Sequence, residues 1–222
     1  YNYKNRINMI NSSDAEKFLK DRKVNTTFSR TYLNEYVSYG LPSNPTDVFS
    51  KLLENRIIML TGEIDDYLCD LIKAQLLYME NLNNKDITIY ICSGGGDVYS
   101  GLGLIDTMEY IKPDIITVNT GIAASMAALI LCSGTKGKRK ALKRSRTMIH
   151  QPMSGMYGMH QASDLTIEAK EINSLKHELY EIVSESTGVD IKKVEQDSDR
   201  NYWMNSTEAL KYGMIDEIIK RK

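Results

Sequence analysis

From about Thr46 onward the chain alternates between short β-branched runs and stretches of helical spacing, and this alternation restricts the fold more than any other feature. Thr46 and Asp47 can cap a short helix through Leu53. Arg56–Thr61 (RIIMLT) reads as a strand. Ile87–Cys92 (ITIYIC) reads as a buried strand, closed by Gly94, Gly95 and Gly96. Ile115–Asn119 and Thr147–Ile149 are strand-like. Between them, Asp65–Glu80 carries Leu68, Leu71, Ile72, Leu76 and Met79 at helical spacing. Gly101–Ile111 reads as a helix that stops before Pro113, and Ala123–Leu131 as a helix of small residues. Strands alternating with helices imply an α/β domain on a parallel sheet. There is no internal repeat. At 222 residues the chain fits one large domain that buries roughly 70% of its unfolded surface.

The first 30 residues are polar and rich in Asn and Lys. Ser13 and Glu16 have capping-box spacing, so a short helix is expected to about Lys23. Ser38–Thr46, with Gly40, Pro42 and Pro45, reads as a loop. We therefore expect residues 1–45 to be a mobile N-terminal arm or propeptide-like extension, and residues 46–222 to be the domain. The chain begins at Tyr1 without an initiator Met, so a processed start is expected. Tyr1–Ile10 lacks the apolar core of a secretory signal. No apolar run approaches the ~18 residues of a membrane span. A net charge of −1 gives no bulk attraction to nucleic acid or an acidic membrane. Cys69, Cys92 and Cys132 are odd in number and lack CxxC spacing, against a disulfide framework or zinc site. They read as small packing residues of a cytoplasmic protein.

One helix stands apart. Leu165–Ser186 places Ile172, Leu175, Leu179, Ile182 and Val183 on one stripe, with Ser163 or Asp164 to cap it and Gly188 to end it. At ~1.5 Å per residue it spans roughly 30 Å. The stripe either packs on its own domain or makes a subunit interface.

Three segments can carry chemistry. Ser125 follows a strand and opens a helix among small neighbours. Free N–H groups at a helix start stabilise an oxyanion. A serine there can equally just cap the helix. His150, in Met148-Ile149-His150-Gln151-Pro152, ends a strand before a turn, where an imidazole can project into a cleft. As general base it must come within ~2.6–3.2 Å of the serine hydroxyl; alone it reads as a hydrogen-bonded histidine. His160 and His177 have no such setting. Ser93-Gly94-Gly95-Gly96 ends a buried strand, where glycines let backbone N–H groups face a ligand or simply make a turn. It lacks the GxxxxGK[ST] spacing of a phosphate loop.

The order and spacing of these segments resemble the ClpP peptidases from about Asp47 to Ile219. The matching runs are Asp106-Thr107-Met108, Ile111-Lys112-Pro113-Asp114, Gly121 with Ala123-Ala124-Ser125-Met126, Gly134 with Lys136-Gly137-Lys138-Arg139, and Met148 to Pro152. The 25-residue interval from Ser125 to His150 also matches. The resemblance implies an α/β, crotonase-like fold with a protruding handle helix, the handle region spanning about 151–187. It implies a serine endopeptidase with Ser125 as nucleophile, His150 as base, and the N–H groups of Gly96 and Met126 as oxyanion hole. It further implies two stacked heptamers that hydrolyse unfolded polypeptides inside a closed chamber, fed by a Clp-family AAA+ unfoldase. No metal or cofactor is expected in the peptidase; ATP belongs to the partner.

The chain departs from the family pattern in four places. The family's orienting aspartate falls in a D-[ST]-x-R-D run, here Asp197-Ser198-Asp199-Arg200-Asn201, so Asn201 takes its place. An amide oxygen can hold the imidazole tautomer but supplies no charge, and the equivalent Asp→Asn change in serine proteases costs about 10⁴ in turnover. Attenuated chemistry is expected; Asp197 or Asp199 would serve only after a register shift. Gly94 replaces a usual proline, which should loosen the oxyanion loop. Met153–Ala162 carries two extra residues where a substrate-lining hairpin should be. Lys140 stands where the family has an aromatic of the unfoldase-docking pocket. It belongs to a basic cluster with Lys136, Lys138, Arg139, Lys143, Arg144 and Arg146; no nucleic-acid partner is expected from it, since the chain is not basic overall. These departures leave two rivals. One is a weakly active or inactive structural subunit of a mixed ring. The other is a crotonase-type acyl-CoA enzyme, which shares the fold and a two-amide oxyanion hole.

Overall fold

The computed structural model describes residues 45–153 and 161–220. The expected helix near Lys23, most of the loop Ser38–Thr46, His160 and most of the segment Met153–Ala162 lie outside the described residues. The chain divides into two units, Tyr1–Glu54 and Asn55–Lys222. In the first, Pro45–Glu54 is helix α1. Thr46 and Asp47, expected as caps, lie inside its first turn. Pro45 opens it, as suits a residue whose missing N–H a helix start does not need.

In the second unit, strand β1 (Ile57–Ile64) leads to helix α2 (Asp66–Leu82), strand β2 (Ile87–Gly96) to α3 (Val98–Tyr110), and β3 (Ile115–Ala124) to α4 (Met126–Cys132). Then come β4 (Arg139–Leu142), β5 (Arg146–Ile149), α5 (Ala162–Thr187), α6 (Ile191–Asp197), β6 (Tyr202–Asn205), α7 (Ser206–Tyr212) and β7 (Glu217–Ile219). The sheet runs β1-β2-β3-β4-β7, and β5 pairs with both β3 and β6. All pairs are parallel except β5 with β6. The expected parallel α/β architecture is what the structure holds.

β3 forks. Its first half, Thr117–Asn119, pairs with β4, and its second half, Ile122–Ala124, pairs with β5. The fork leaves backbone groups to satisfy, and Asn119 meets them: its amide donates to the Arg146 carbonyl at 2.8 Å and its Oδ1 accepts from Gly121 N. This fork sends the histidine strand alongside the end of β3, where the serine lies.

One sheet face is buried through Ile58, Leu60, Ile87, Ile89, Ile91, Ile115, Thr117, Arg139 and Ala141, against α2 and α4, with α3 packed on both helices. α2 turns Cys69, Ile72, Leu76 and Met79 to this core. Asp65 caps it through Leu68 N. Arg56 closes its other end by donating to the carbonyls of Met79 and Asn83. Burial pushes the Cys69 and Cys132 thiols up to about 11, so both pack as apolar groups, and all three cysteines are free.

The long helix α5 begins earlier than its apolar stripe suggests. Ser163 and Asp164 lie in its first turn, and Gln161 stands at the N-cap without a side-chain bond. Gly188 ends it in the left-handed conformation, as expected. Only Leu179, Tyr180 and Val183, in its C-terminal half, are buried. In the other half Leu165 is 47% and Ile167 66% exposed.

Candidate active site

Ser125 is the one residue between Ala123 and Cys132 that reaches solvent; every neighbour in that run is buried. Its backbone is at φ 55°, ψ −128°, and it makes no side-chain cap bond to the helix it precedes. A side chain at such a φ is strained by about 1–3 kcal/mol, so capping does not account for the residue. Its N–H donates to the Met148 carbonyl at 2.8 Å, which locks the turn to β5. The Ser125 carbonyl accepts from Ala128 and Leu129. The helix therefore offers no carbonyl to the Met126 N–H, one of the first-turn amides of any helix.

The glycine run of β2 lies directly against this turn. A Cβ placed on Gly95 would fall 2.7 Å from Ser125 Cβ and 3.1 Å from Met126 N, and Gly95 has φ +100°. A Cβ on Gly96 would fall 2.1 Å from the Ile64 carbonyl oxygen. Neither position admits another residue, and through Gly95 the loop lies against Ser125 and the first amide of α4. Ser93 braces the loop: its hydroxyl donates to the Gly62 carbonyl at 2.6 Å and accepts from Gly95 N at 3.1 Å. Gly101 makes room for the Met126 side chain, whose Cγ would be 2.2 Å from a Cβ there. Ser93 was read only as the start of the glycine segment and Gly101 not as a site residue at all; a bracing hydroxyl and a helical glycine carry no signal until their neighbours are known. A Cβ on Gly94 would meet nothing within 4 Å.

His150 follows β5. Ala124 pairs with Met148, so Ser125 and His150 end hydrogen-bonded neighbouring strands. Burial holds the His150 imidazole below its ordinary 6.5. Asn201 precedes β6. The antiparallel register runs from Arg146–Asn205 to Ile149–Tyr202, so His150 and Asn201 each lie one residue beyond its last pair. Among the described residues no hydrogen bond links the side chains of Ser125, His150 and Asn201. Catalytic hydrogen bonds are commonly long in unliganded enzymes and tighten when substrate binds.

Neither neighbouring aspartate replaces Asn201. Asp197 is held by Lys193 and by the Tyr212 hydroxyl at 3.1 Å. The Asp199 carboxylate lies 3.4 Å from Gln151 Nε2. Three of the seven basic residues of the cluster pair with carboxylates: Lys138 with Asp86 and Asp114, Arg139 with Asp216, and Lys140 with Glu217 at 2.9 Å. Lys140 lies in a row that crosses five strands, Met59, Tyr90, Val118, Lys140 and Glu217, on the less buried sheet face. His177 pairs with Glu181 on the exposed side of α5.

A strained serine at a strand–helix turn, with a histidine ending the next strand and two backbone segments facing the serine, has the layout of a hydrolase that works by nucleophilic attack. Comparison with known proteins narrows the class. The family model described as Clp protease matches residues 42–222. A Bacteroides fragilis protein is 53% identical over 194 residues, covering 86% of this chain and 93% of its own length. A Bacteroides thetaiotaomicron protein is 52% identical over 194 residues, covering 86% of this chain and 87% of its own. One from Porphyromonas gingivalis is 56% identical over 176 residues, covering 79% and 78%. Each is an ATP-dependent Clp protease proteolytic subunit. The chain belongs to the Clp protease family, and its enzyme class is that family's, a serine peptidase. The acyl-CoA reading ends there.

Proposed function

We propose that this chain is the proteolytic subunit of an ATP-dependent Clp protease and cleaves unfolded polypeptides as a serine endopeptidase. The strained, half-exposed Ser125 backbone carries this reading. Ser125 attacks the peptide carbonyl. His150 takes its proton and passes it to the leaving amine. The N–H groups of Gly96 and Met126 bind the oxyanion, and Asn201 orients His150 through the imidazole Nδ1 proton. Without a carboxylate at residue 201 the imidazolium formed in the transition state has no offsetting charge, so turnover is attenuated. Water, deprotonated by His150, then attacks the acyl-Ser125 ester, releases the carboxylate product and restores the serine; no metal takes part, and ATP is consumed by the partner.

The assembly proposed is two stacked heptamers in the cytoplasm, with a Clp-family AAA+ unfoldase as partner. The exposed Leu165 and Ile167 on α5 support a role for that helix as the handle between rings. Among the described residues, no helix is long and apolar enough to cross a membrane. A second reading, a weakly active structural subunit in a mixed ring, is favoured by Asn201 and by the Lys140–Glu217 pair at the expected docking row. Co-expression with a relative that carries aspartate at the third position, followed by native mass spectrometry, tests it. Mixed rings support the second reading, and homomeric rings alone count against it.

A further inference from the structure

The β5–β6 pairing ends at Ile149–Tyr202; carried on, its register would set His150 opposite Asn201 and Gln151 opposite Arg200. Gln151 N instead donates to the Ser198 carbonyl at 2.7 Å. Its side-chain Nε2 donates to the Asp199 carbonyl at 2.8 Å and lies 3.4 Å from Asp199 Oδ1. The residue after the histidine thus grips the turn that delivers Asn201. That turn is anchored on one side by Ser198 N, which donates to the Val194 carbonyl at 2.9 Å, and on the other by β6. Between these anchors the exposed Arg200 and Asn201 make no hydrogen bond among the described residues. We infer that Gln151 is a positioning residue of the triad: it acts through the 198–200 turn to set the separation of His150 and Asn201. This rests on the peptidase reading above and adds a residue to it.

The physical stake is orientation. A displacement of about 1 Å in a catalytic group can cost on the order of 100-fold in rate, and Asn201 is exposed, with no side-chain hydrogen bond among the described residues. Gln151→Ala removes the side-chain grip and keeps the backbone bond to Ser198. Gln151→Glu keeps the shape, but its carboxylate cannot donate to the Asp199 carbonyl and repels the Asp199 side chain. If Gln151→Ala fails to assemble, Gln151→Glu carries the test.

The experiment measures the rate at which a fluorophosphonate probe labels Ser125 in assembled particles. Each Gln151 variant is made in three backgrounds: Asn201, Asn201→Asp and Asn201→Ala. The expected result is a loss of about tenfold or more with Asn201 or Asp at the third position, shrinking to within about twofold with Ala, because coupled residues are non-additive. The same loss in all three backgrounds, or no loss in any, overturns the inference. No Ser125-dependent labelling in any background, Asn201→Asp with native Gln151 included, overturns the peptidase reading itself.

Discussion

At the scale of single residues, Ser125 holds a backbone conformation that serves its hydroxyl and costs the fold. Glycine adopts φ 55° without that cost. Ser125→Gly should abolish peptide hydrolysis and raise stability by about 1 kcal/mol, whereas Ser125→Ala should abolish hydrolysis without the gain; chemical denaturation of both distinguishes them. His150 must be neutral to accept a proton, and burial lowers its pKa. The acid limb of kcat/KM should therefore fall below pH 6.5. A carboxylate at residue 201 favours the charged imidazole, so Asn201→Asp should move that limb upward while increasing turnover; a pH–rate profile of both proteins checks it. Ser125, His150 and Asn201 were named from the family resemblance of their segments, and the structure brings Ser125 and His150 to the ends of neighbouring strands. The φ of Ser125 was not, since nothing in a serine announces a positive φ. Nor was the grip of Gln151, which depends on where the β5–β6 pairing gives way to a turn.

Among the elements, the long apolar strands and the short apolar Thr147–Ile149 were readable, and three other short strands were not. Arg139–Leu142, Tyr202–Asn205 and Glu217–Ile219 are four, four and three residues long. Two of them mix charge with apolar residues, too briefly for a period of two to show. β2 and β3 both run past their expected ends, because Gly94–Gly96 and Gly121–Ala124 stay paired to their neighbours across irregular register. That extension brings the glycine loop to Ser125. Gly94 has space and no positive φ, so Gly94→Ala should stabilise the protein by about 0.4–1 kcal/mol. Gly95→Ala should sharply reduce hydrolysis by pushing on Ser125. Thermal melts and peptide assays of the two variants test this contrast.

At the scale of the whole molecule, one buried ion pair ties the layers together. Arg139 donates through Nε to Asp216 at 2.8 Å, and through Nη1 to the carbonyls of Cys132 and Ser186, joining β4 and the approach to β7 to the ends of α4 and α5. Removing one partner strands the other, so Arg139→Ala should cost about 3–5 kcal/mol. Burial alone would raise the Asp216 pKa, but bonds from Arg139 and Gly137 hold it below its ordinary 3.8. Its contribution is complete above that value and is lost as pH falls through the depressed one. Asp216→Asn should therefore be less stable at neutral pH and less sensitive to acid below pH 4, as acid titrations of the two would show. The alternation of strands and helices made the α/β sheet legible; the fork of β3 was not, because it depends on which strand wins each half of a shared edge.

The account stands on Ser125 acting as a nucleophile with His150 and an attenuating Asn201. Hydrolysis of a short fluorogenic peptide by the assembled chain, beside Ser125→Ala and Asn201→Asp, tests it most directly, since short peptides need no unfoldase. The account predicts slow cleavage by the chain, none by Ser125→Ala, and faster cleavage by Asn201→Asp. Assembled particles in which neither the chain nor Asn201→Asp cleaves would contradict it and leave the structural-subunit reading in its place.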